Sequence, residues 1–169
     1  MPSQLYRFFT NDHRRLEDLL DRATANPAKI DAELYARFRA GLLKHISMEE
    51  KILFPAAQKH HGGEPLSIAA KLRLDHGAIA ALLVPPPSRS IIAALRAILQ
   101  QHDLLEESPG GAYEICGQFI GDDMDSLMDM IRKAPDVPPN PYNLNPNVLD
   151  ATRRALARAG YNLEDYEKG

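Results

Sequence analysis

Apolar residues recur at three-residue and four-residue spacing along almost the whole chain. Leu, Phe, Ile and Ala fill these positions, and runs of Val and Thr, which are typical of strands, are almost absent. Because this spacing is the period of an α-helix, the pattern predicts an all-α protein in which no segment is a convincing strand.

Capping and breaking residues divide this pattern into separate helices. Ser3 and Asp31 are expected to be the N-caps of the first two helices, and Pro55 should kink the second helix or end its regular part. Prolines 85–87 and the "SPGG" at 108–111 are the later breaks. The predicted helices cover about 4–24, 32–60, 65–84, a fourth that follows Ser88 or Ser90 as its cap and runs to about 107, and 112–133.

The pattern changes after residue 133. The segment "PDVPPNPYNLNP" has five prolines in twelve residues and is expected to be a stiff connector. Asn145, Pro146 and Gly160 are expected to cap, open and stop a last short helix. The predicted domains are therefore 1–133, with a four-helix core at 1–107 plus a fifth helix, and 134–169, a connector and helix that pack on the bundle or on a partner. Packing on the chain's own bundle is the favoured interpretation.

Length and composition narrow the class of protein. A chain of 169 residues suits one domain, and a net charge of −3 gives no general attraction to nucleic acid or anionic lipid. No apolar run approaches the roughly 20 residues that span a bilayer, and Arg and Asp within the first twenty positions exclude a signal peptide. The lone Cys116 allows neither an internal disulfide nor a thiolate zinc site. We therefore expect a soluble, unprocessed protein of the cytoplasm.

A histidine interrupts the apolar stripe of each of the first four helices. These histidines are His13, His45, His76 and His102, and Glu49 and Glu106 follow two of them by four residues. Residues four apart lie about 40° apart around a helix, so each His/Glu pair can face one centre. Since buried His and Glu are costly without hydrogen bonds, charge partners or a metal, the six residues are predicted to meet in the core.

Neighbouring polar residues are expected to lie outside this cluster. Glu50 and Glu107 turn about 100° away from the glutamates before them and are interpreted as solvated charges. His60 and His61 are interpreted as surface residues at a helix C-terminus. Glu17, at the edge of the first stripe, is a candidate partner of the cluster. Ile52 is expected to continue the inward stripe of the second helix.

The types of ligand indicate the type of metal. Imidazole and carboxylate without thiolate favour iron, manganese or zinc. Six ligands are too many for one tetrahedral zinc ion. They suffice for two ions if each ion takes two histidines, both glutamates bridge, and a solvent-derived oxygen completes the bridge, which leaves an open position on each ion.

Three short segments carry a resemblance to a known family. The segments "HISMEE" at 45–50, "HDLLEE" at 102–107 and "EEKILFP" at 49–55, with one further His before each hexapeptide, resemble the hemerythrin-like, or HHE cation-binding, family. The resemblance covers residues 1 to about 107 and implies an up-down-up-down four-helix bundle around two non-haem iron ions joined by an oxo or hydroxo group. By this resemblance the ligands are His13 and His45 on one iron, His76 and His102 on the other, and Glu49 and Glu106 as bridges.

The sequence also departs from the oxygen-carrying members of that family. Those proteins have a further His one turn from His76, where this chain has Leu72 and Ala80. Its fourth-helix carboxylate follows the His by four residues instead of five and is Glu instead of Asp. These differences weaken the assignment of this chain as a reversible oxygen carrier. No Cys pair lies near the N-terminus, which argues against the iron–sulfur repair branch.

Three functions are consistent with the sequence. The favoured function is a di-iron protein that binds, senses or reacts with dioxygen, peroxide or nitric oxide, or that handles iron. An oxidase or peroxide-consuming enzyme on the same centre is the alternative, and a metal-free helical interaction module is the third. The expected partner is a small diatomic or peroxide ligand, without nucleic acid or membrane, and a homodimer is left open.

Overall fold

The computed structural model of the protein describes residues 1–168, and every regular element in that range is helical. The helices are α1 (Gln4–Ala23), α2 (Ala32–Met48), α3 (Phe54–His60), α4 (Ala69–Leu82), α5 (Arg89–Glu107), α6 (Ala112–Ile120), α7 (Met124–Arg132), α8 (Val148–Ala159) and α9 (Glu164–Glu167). The prediction of an all-α protein is confirmed. Over residues 1–168, no helix has both the length and the apolar character needed to cross a membrane.

The chain divides into two compact units. The first unit contains residues 1–69 and 104–139, and the second contains residues 70–103 and the chain from Asn140 onwards. Helix α5 begins in the second unit, and its last turn belongs to the first. In the first unit α1 packs along α2, and α6 packs on α1 and α3.

The predicted N-caps are present and fix where the first helices begin. The Ser3 Oγ accepts a hydrogen bond from the Tyr6 N–H at 3.1 Å, and an Asp31 Oδ1 accepts from the Leu34 N–H at 3.0 Å. Each bond satisfies a backbone donor that has no partner within the helix, which is worth about 1 kcal/mol.

Gly41 allows α1 and α2 to approach closely. A Cβ atom at this position would lie 2.8 Å from Leu16 Cδ2 and 3.1 Å from Arg15 Nη2, so a larger residue would require these two side chains to move. The apolar residues of the facing stripes, Leu5, Phe9, Leu16, Leu20, Phe38 and Leu42, are all buried. Burial of each such side chain stabilises the folded state by about 1.5–3 kcal/mol. The close approach of the two helices brings His13 of α1 next to His45 of α2.

A π-helical turn, Glu49–Leu53, interrupts the second predicted helix. The regular part of this helix does end, as predicted, but the break begins at Glu49, and Pro55 lies in the first turn of α3, where no N–H is needed. A π turn holds one residue more than an α turn and therefore rotates the residues that follow it. Leu53 is buried as a result, whereas the predicted inward residue Ile52 is only half-buried, so that prediction is wrong.

The predicted fifth helix is two helices. Helices α6 and α7 are separated by a turn of 3-10 helix, Gly121–Asp123. Gly121 has a φ of +53°, which glycine adopts without the steric cost that other residues meet. The prediction of one continuous helix over 112–133 is wrong because this glycine changes the chain direction.

The chain from Asn140 onwards packs within the second unit. No regular helix or strand forms over residues 134–147, and α8 begins two residues later than Pro146 and ends at Gly160, whose φ is +92°. The Thr152 Oγ1 of α8 donates to the Ala81 carbonyl of α4 at 3.3 Å, and the Asn143 N–H donates to the Val84 carbonyl at 3.0 Å. These bonds hold α8 and the part of the connector around Asn143 against the end of α4.

Candidate metal centre

Four of the predicted ligands meet in the first unit. His13 comes from α1, His45 from α2, Glu49 from the π turn and Glu106 from the last turn of α5. All four are buried, and each offers a ligand atom within 4.8 Å of the others. The four residues can therefore hold one metal ion.

Carboxylates fix the orientation of both imidazole rings in this cluster. The His45 Nδ1 lies 2.8 Å from Asp12 Oδ2, and the His13 Nδ1 lies 2.5 Å from Glu107 Oε1. A ring that donates its Nδ1–H to a carboxylate keeps a lone pair on Nε2, the atom that binds a metal. Both Nε2 atoms face the same small space.

The spacing of the ligand atoms matches that of neighbouring ligands on one ion. The His13 and His45 Nε2 atoms are 3.0 Å apart, and each lies 3.3 Å from a carboxylate oxygen, Glu106 Oε2 and Glu49 Oε1 respectively. Two nitrogens bound at about 2.1 Å and at right angles to one another would be about 3.0 Å apart. The residues present therefore fit a metal ion.

Charge is concentrated at this cluster. Burial lowers the pKa of His45, but the charge of Glu49 and the hydrogen bond to Asp12 reverse this and raise the pKa to about 10. Burial raises the pKa of Asp12, but the hydrogen bond and charge of His45, aided by Arg15, hold it below its usual value. Carboxylate charge therefore outweighs burial in the electrostatics around His45.

Glu107 is not the solvated charge that the sequence suggested. Its carboxylate accepts from His13 and from Arg14 Nη2, both at 2.5 Å. Burial raises the pKa of Glu107, but the hydrogen bond to His13 and the charges of His13 and Arg14 hold it below its usual value. The prediction failed because the last turn of α5 lies against α1, which covers the side of the helix that the period assigns to solvent.

Tyr113 is a member of the cluster that the sequence did not reveal. Its Oη lies 2.6 Å from Glu49 Oε1, 2.9 Å from Glu106 Oε2, 3.1 Å from His13 Nε2 and 3.4 Å from His45 Nε2. Burial and the charges of Glu106 and Glu49 raise the pKa of Tyr113 well above its usual value, so without a metal this group is a neutral phenol.

The other two predicted ligands meet in the second unit. The His76 Nε2 of α4 lies 3.0 Å from the His102 Nε2 of α5, the same separation as in the first pair. The His102 Nδ1 lies 3.2 Å from Asp75 Oδ2, and the Lys71 Nζ donates to Asp75 Oδ1 at 2.7 Å. Burial raises the pKa of Asp75, but the hydrogen bonds from His102 and Lys71 hold it below its usual value.

The remaining sequence candidates lie elsewhere in the first unit. The Glu17 carboxylate is exposed and pairs with Arg14 at 3.4 Å. Glu17 is therefore not the partner of the cluster that the sequence suggested. The His60 Nε2 pairs with Asp123 at 3.2 Å, and the His61 ring packs on Phe119. Both histidines therefore lie outside the cluster and make contacts near the surface of the first unit.

A repeated signal could have revealed the two aspartates. Asp12 directly precedes His13, and Asp75 directly precedes His76. In each unit this aspartate binds the His of the following helix in the chain, His45 or His102. The sequence repeat is therefore Asp-His followed by His-x-x-x-Glu. No comparable signal marks Tyr113, because its role depends on where α6 packs.

The chain was compared with protein families, curated proteins and solved structures. A family model described as the hemerythrin HHE cation binding domain matches residues 4–133. Neither the curated proteins nor the solved structures give a match to the chain.

Proposed function

Because the chain belongs to the hemerythrin HHE cation-binding domain family, we propose that it is a non-haem di-iron protein. Its metal centre binds, senses or reacts with dioxygen, peroxide or nitric oxide, or serves to handle iron. The observation that carries this proposal is the buried cluster of His13, His45, Glu49 and Glu106. Such a set of imidazole and carboxylate ligands without thiolate suits iron.

The assignment of six ligands to two ions follows the ligand pattern of the family. We assign His13 and His45 to one ion, His76 and His102 to the other, and Glu49 and Glu106 as the carboxylates that the two ions share. A dinuclear iron centre joined by an oxo or hydroxo group is part of this proposal. On the same basis we propose an up-down-up-down four-helix bundle over 1–107, extended by a fifth helical segment to 133 and followed by the connector and C-terminal helix.

The chain's own residues prepare the site before any metal arrives. Asp12, Glu107 and Asp75 each accept from the Nδ1 of one histidine and so select the tautomer that presents Nε2. The burial of the ligands keeps bulk water from their lone pairs. Iron bound here would supply the redox chemistry and the binding position for a small ligand.

Metal analysis of the purified protein tests this proposal. We expect about two irons per chain after expression with sufficient iron, and a large loss of iron in His45→Ala. His60→Ala is the matched control, since His60 is a histidine of the same unit that pairs with Asp123 at the surface. Wild-type protein without iron, or equal iron content in both variants, would contradict the proposal.

A peroxide-consuming enzyme is the second candidate. The positions one turn from His76, where oxygen carriers have another ligand, are Leu72, which is buried and apolar, and Ala80. An ion with fewer protein ligands has more positions for an exogenous molecule, which favours reaction over reversible carriage. Turnover of hydrogen peroxide by iron-loaded wild-type protein, lost in His102→Ala, would support the enzyme. A protein that binds iron but consumes no peroxide would leave only the binding or sensing role.

A further inference from the structure

The packing around Tyr113 requires an aromatic ring but does not require its hydroxyl group. The side chain is fully buried, and its ring stacks on Phe9 with centroids 5.0 Å apart and planes 19° apart. Tyr6 packs edge-on against the same ring at 6.5 Å. These two contacts satisfy the apolar part of the residue, so a phenylalanine would fill this space equally well. The hydroxyl adds polar contacts that the packing of the ring does not need.

The turn before α6 directs this hydroxyl towards the carboxylates. Gly111 is the N-cap of α6, and its N–H donates to the Ser108 carbonyl at 2.7 Å. A Cβ at Gly111 would lie 2.7 Å from the Glu106 and Ser108 carbonyl oxygens, so only glycine permits the chain to turn back so tightly. The turn places Tyr113 beside Glu106, seven residues earlier in the chain.

The hydroxyl lies among the ligand atoms of the first unit. Its Oη is within 3.4 Å of the ligand nitrogens of His13 and His45, and closer still to one oxygen each of Glu49 and Glu106. A metal held by these atoms at about 2.0–2.2 Å must occupy the space among them. The ion and Oη must therefore bind one another, or the ring must leave its stack on Phe9.

We propose that Tyr113 is a further metal ligand, through Oη, of the ion held by His13, His45, Glu49 and Glu106. This inference rests on the proposed function. On binding a ferric ion the O–H bond of the phenol breaks and an O–metal bond forms. The proton leaves to solvent, and no electron is transferred. A phenolate is a hard, anionic oxygen ligand, and a bound cation favours its formation against the burial that opposes it.

This ligand changes which ion is open to a small molecule. In the six-ligand scheme each ion keeps one open position. A phenolate from Tyr113 fills that position on the ion of His13 and His45. Dioxygen, peroxide or nitric oxide would then bind at the ion assigned to His76 and His102.

Spectroscopy of the iron-loaded protein tests this proposal. The purified full-length chain is loaded with ferrous iron without oxygen and is then oxidised in air. We expect a visible charge-transfer band from phenolate to ferric iron, and resonance Raman excitation in that band should enhance tyrosine ring vibrations that shift when the protein contains ring-deuterated tyrosine. Tyr113→Phe should bind iron and lose this band and these vibrations.

Tyr35→Phe is the matched control. Tyr35 is also fully buried, packs on Phe38, and lies ten residues before His45 on α2, which is about 15 Å along the helix. This variant should keep the band. Deuterium-sensitive tyrosine vibrations in the wild-type spectrum test the ligand directly, even if Tyr113→Phe were to fold poorly.

The outcomes separate this proposal from the proposed function. Iron-loaded wild-type protein without tyrosine vibrations, or a Tyr113→Phe variant that keeps them, would overturn the assignment of Tyr113 and leave the metal centre standing. Wild-type protein that binds no iron would overturn the proposed function and this ligand with it.

Discussion

Single carboxylates determine which nitrogen of each histidine in the candidate centre can bind a metal. Asp12, Glu107 and Asp75 bind Nδ1 atoms, which leaves Nε2 for a metal. Such carboxylate partners raise the basicity of a ligating imidazole and fix its ring. Their effect should therefore appear in metal affinity, even though none of them is assigned as a ligand.

Asp12→Asn tests this effect in the first unit. The variant keeps the size of the side chain but removes the charge that faces His45, and we expect metal affinity to fall about 10- to 100-fold. Competition with a chromophoric chelator measures the change. Asp18→Asn is the control, because Asp18 lies on the same helix, is exposed and pairs with Arg22. Equal affinity in the two variants would show that the charge of Asp12 is not needed.

The Cys116 thiol should be unreactive in the folded protein. Burial, followed by the charges of Glu49 and Glu106, raises its pKa to about 12. The thiolate is the reactive form, so at pH 8 alkylation by iodoacetamide should be about 1,000-fold slower than in protein unfolded by guanidinium. Since the folded pKa lies far above neutrality, this protection should persist as the pH rises to about 9. Rapid alkylation of the native protein would mean that the structure around Cys116 opens readily.

The turn that joins α5 to α6 is a tight element that depends on Gly111. Gly111→Ala would place a methyl group against three backbone oxygens at 2.7–2.8 Å, and we expect a loss of about 1–3 kcal/mol in the free energy of unfolding. Gly117→Ala is the contrasting variant within α6, because its Cβ would meet only Ser3 Oγ at 3.8 Å and Met124 Cε at 4.0 Å. It should stabilise the protein by about 0.5–1 kcal/mol, since alanine favours helix. Urea unfolding of both variants measures the two effects, and a neutral Gly111→Ala would refute the steric account.

Helix α8 should contribute stability to the second unit through its apolar face. Leu156 is fully buried, whereas Leu149 on the same helix is 40% exposed. We expect Leu156→Ala to lower the free energy of unfolding by about 2–5 kcal/mol. Leu149→Ala should change it much less, and equal effects in urea unfolding would show that α8 does not pack as described.

The whole molecule should gain thermal stability from its metal. A ligand that binds only the native state stabilises it by about 2.7 kcal/mol at a concentration one hundred times the Kd. For a chain of this size that corresponds to about 5–10 °C in Tm. Thermal unfolding with iron present and after removal by a chelator measures the shift. A double variant, His45→Ala with His102→Ala, should show no shift, and a shift that survives in it would place the stabilising metal elsewhere.

The fold class and most of the candidate ligands were predictable because helical period and residue type are local properties. The inward stripes of α1 and α4 are buried as predicted, and each histidine that interrupts a stripe is buried too. The errors lie where a local rule meets an irregular turn. The π turn at Glu49–Leu53 displaces Ile52 from the stripe, and Gly121 divides one predicted helix into two.

The sequence by itself determined the helical class, the caps, the four histidines and the two inward glutamates, since these depend on spacing along one helix. Only the tertiary structure decided which partners the histidines take. The contact of Asp12 with His45 spans 33 positions of the chain, and that of Glu107 with His13 spans 94. Tyr113 contacts Glu49 across 64 positions and His13 across 100. Packing between helices sets such contacts, and the period of a single helix holds no record of them.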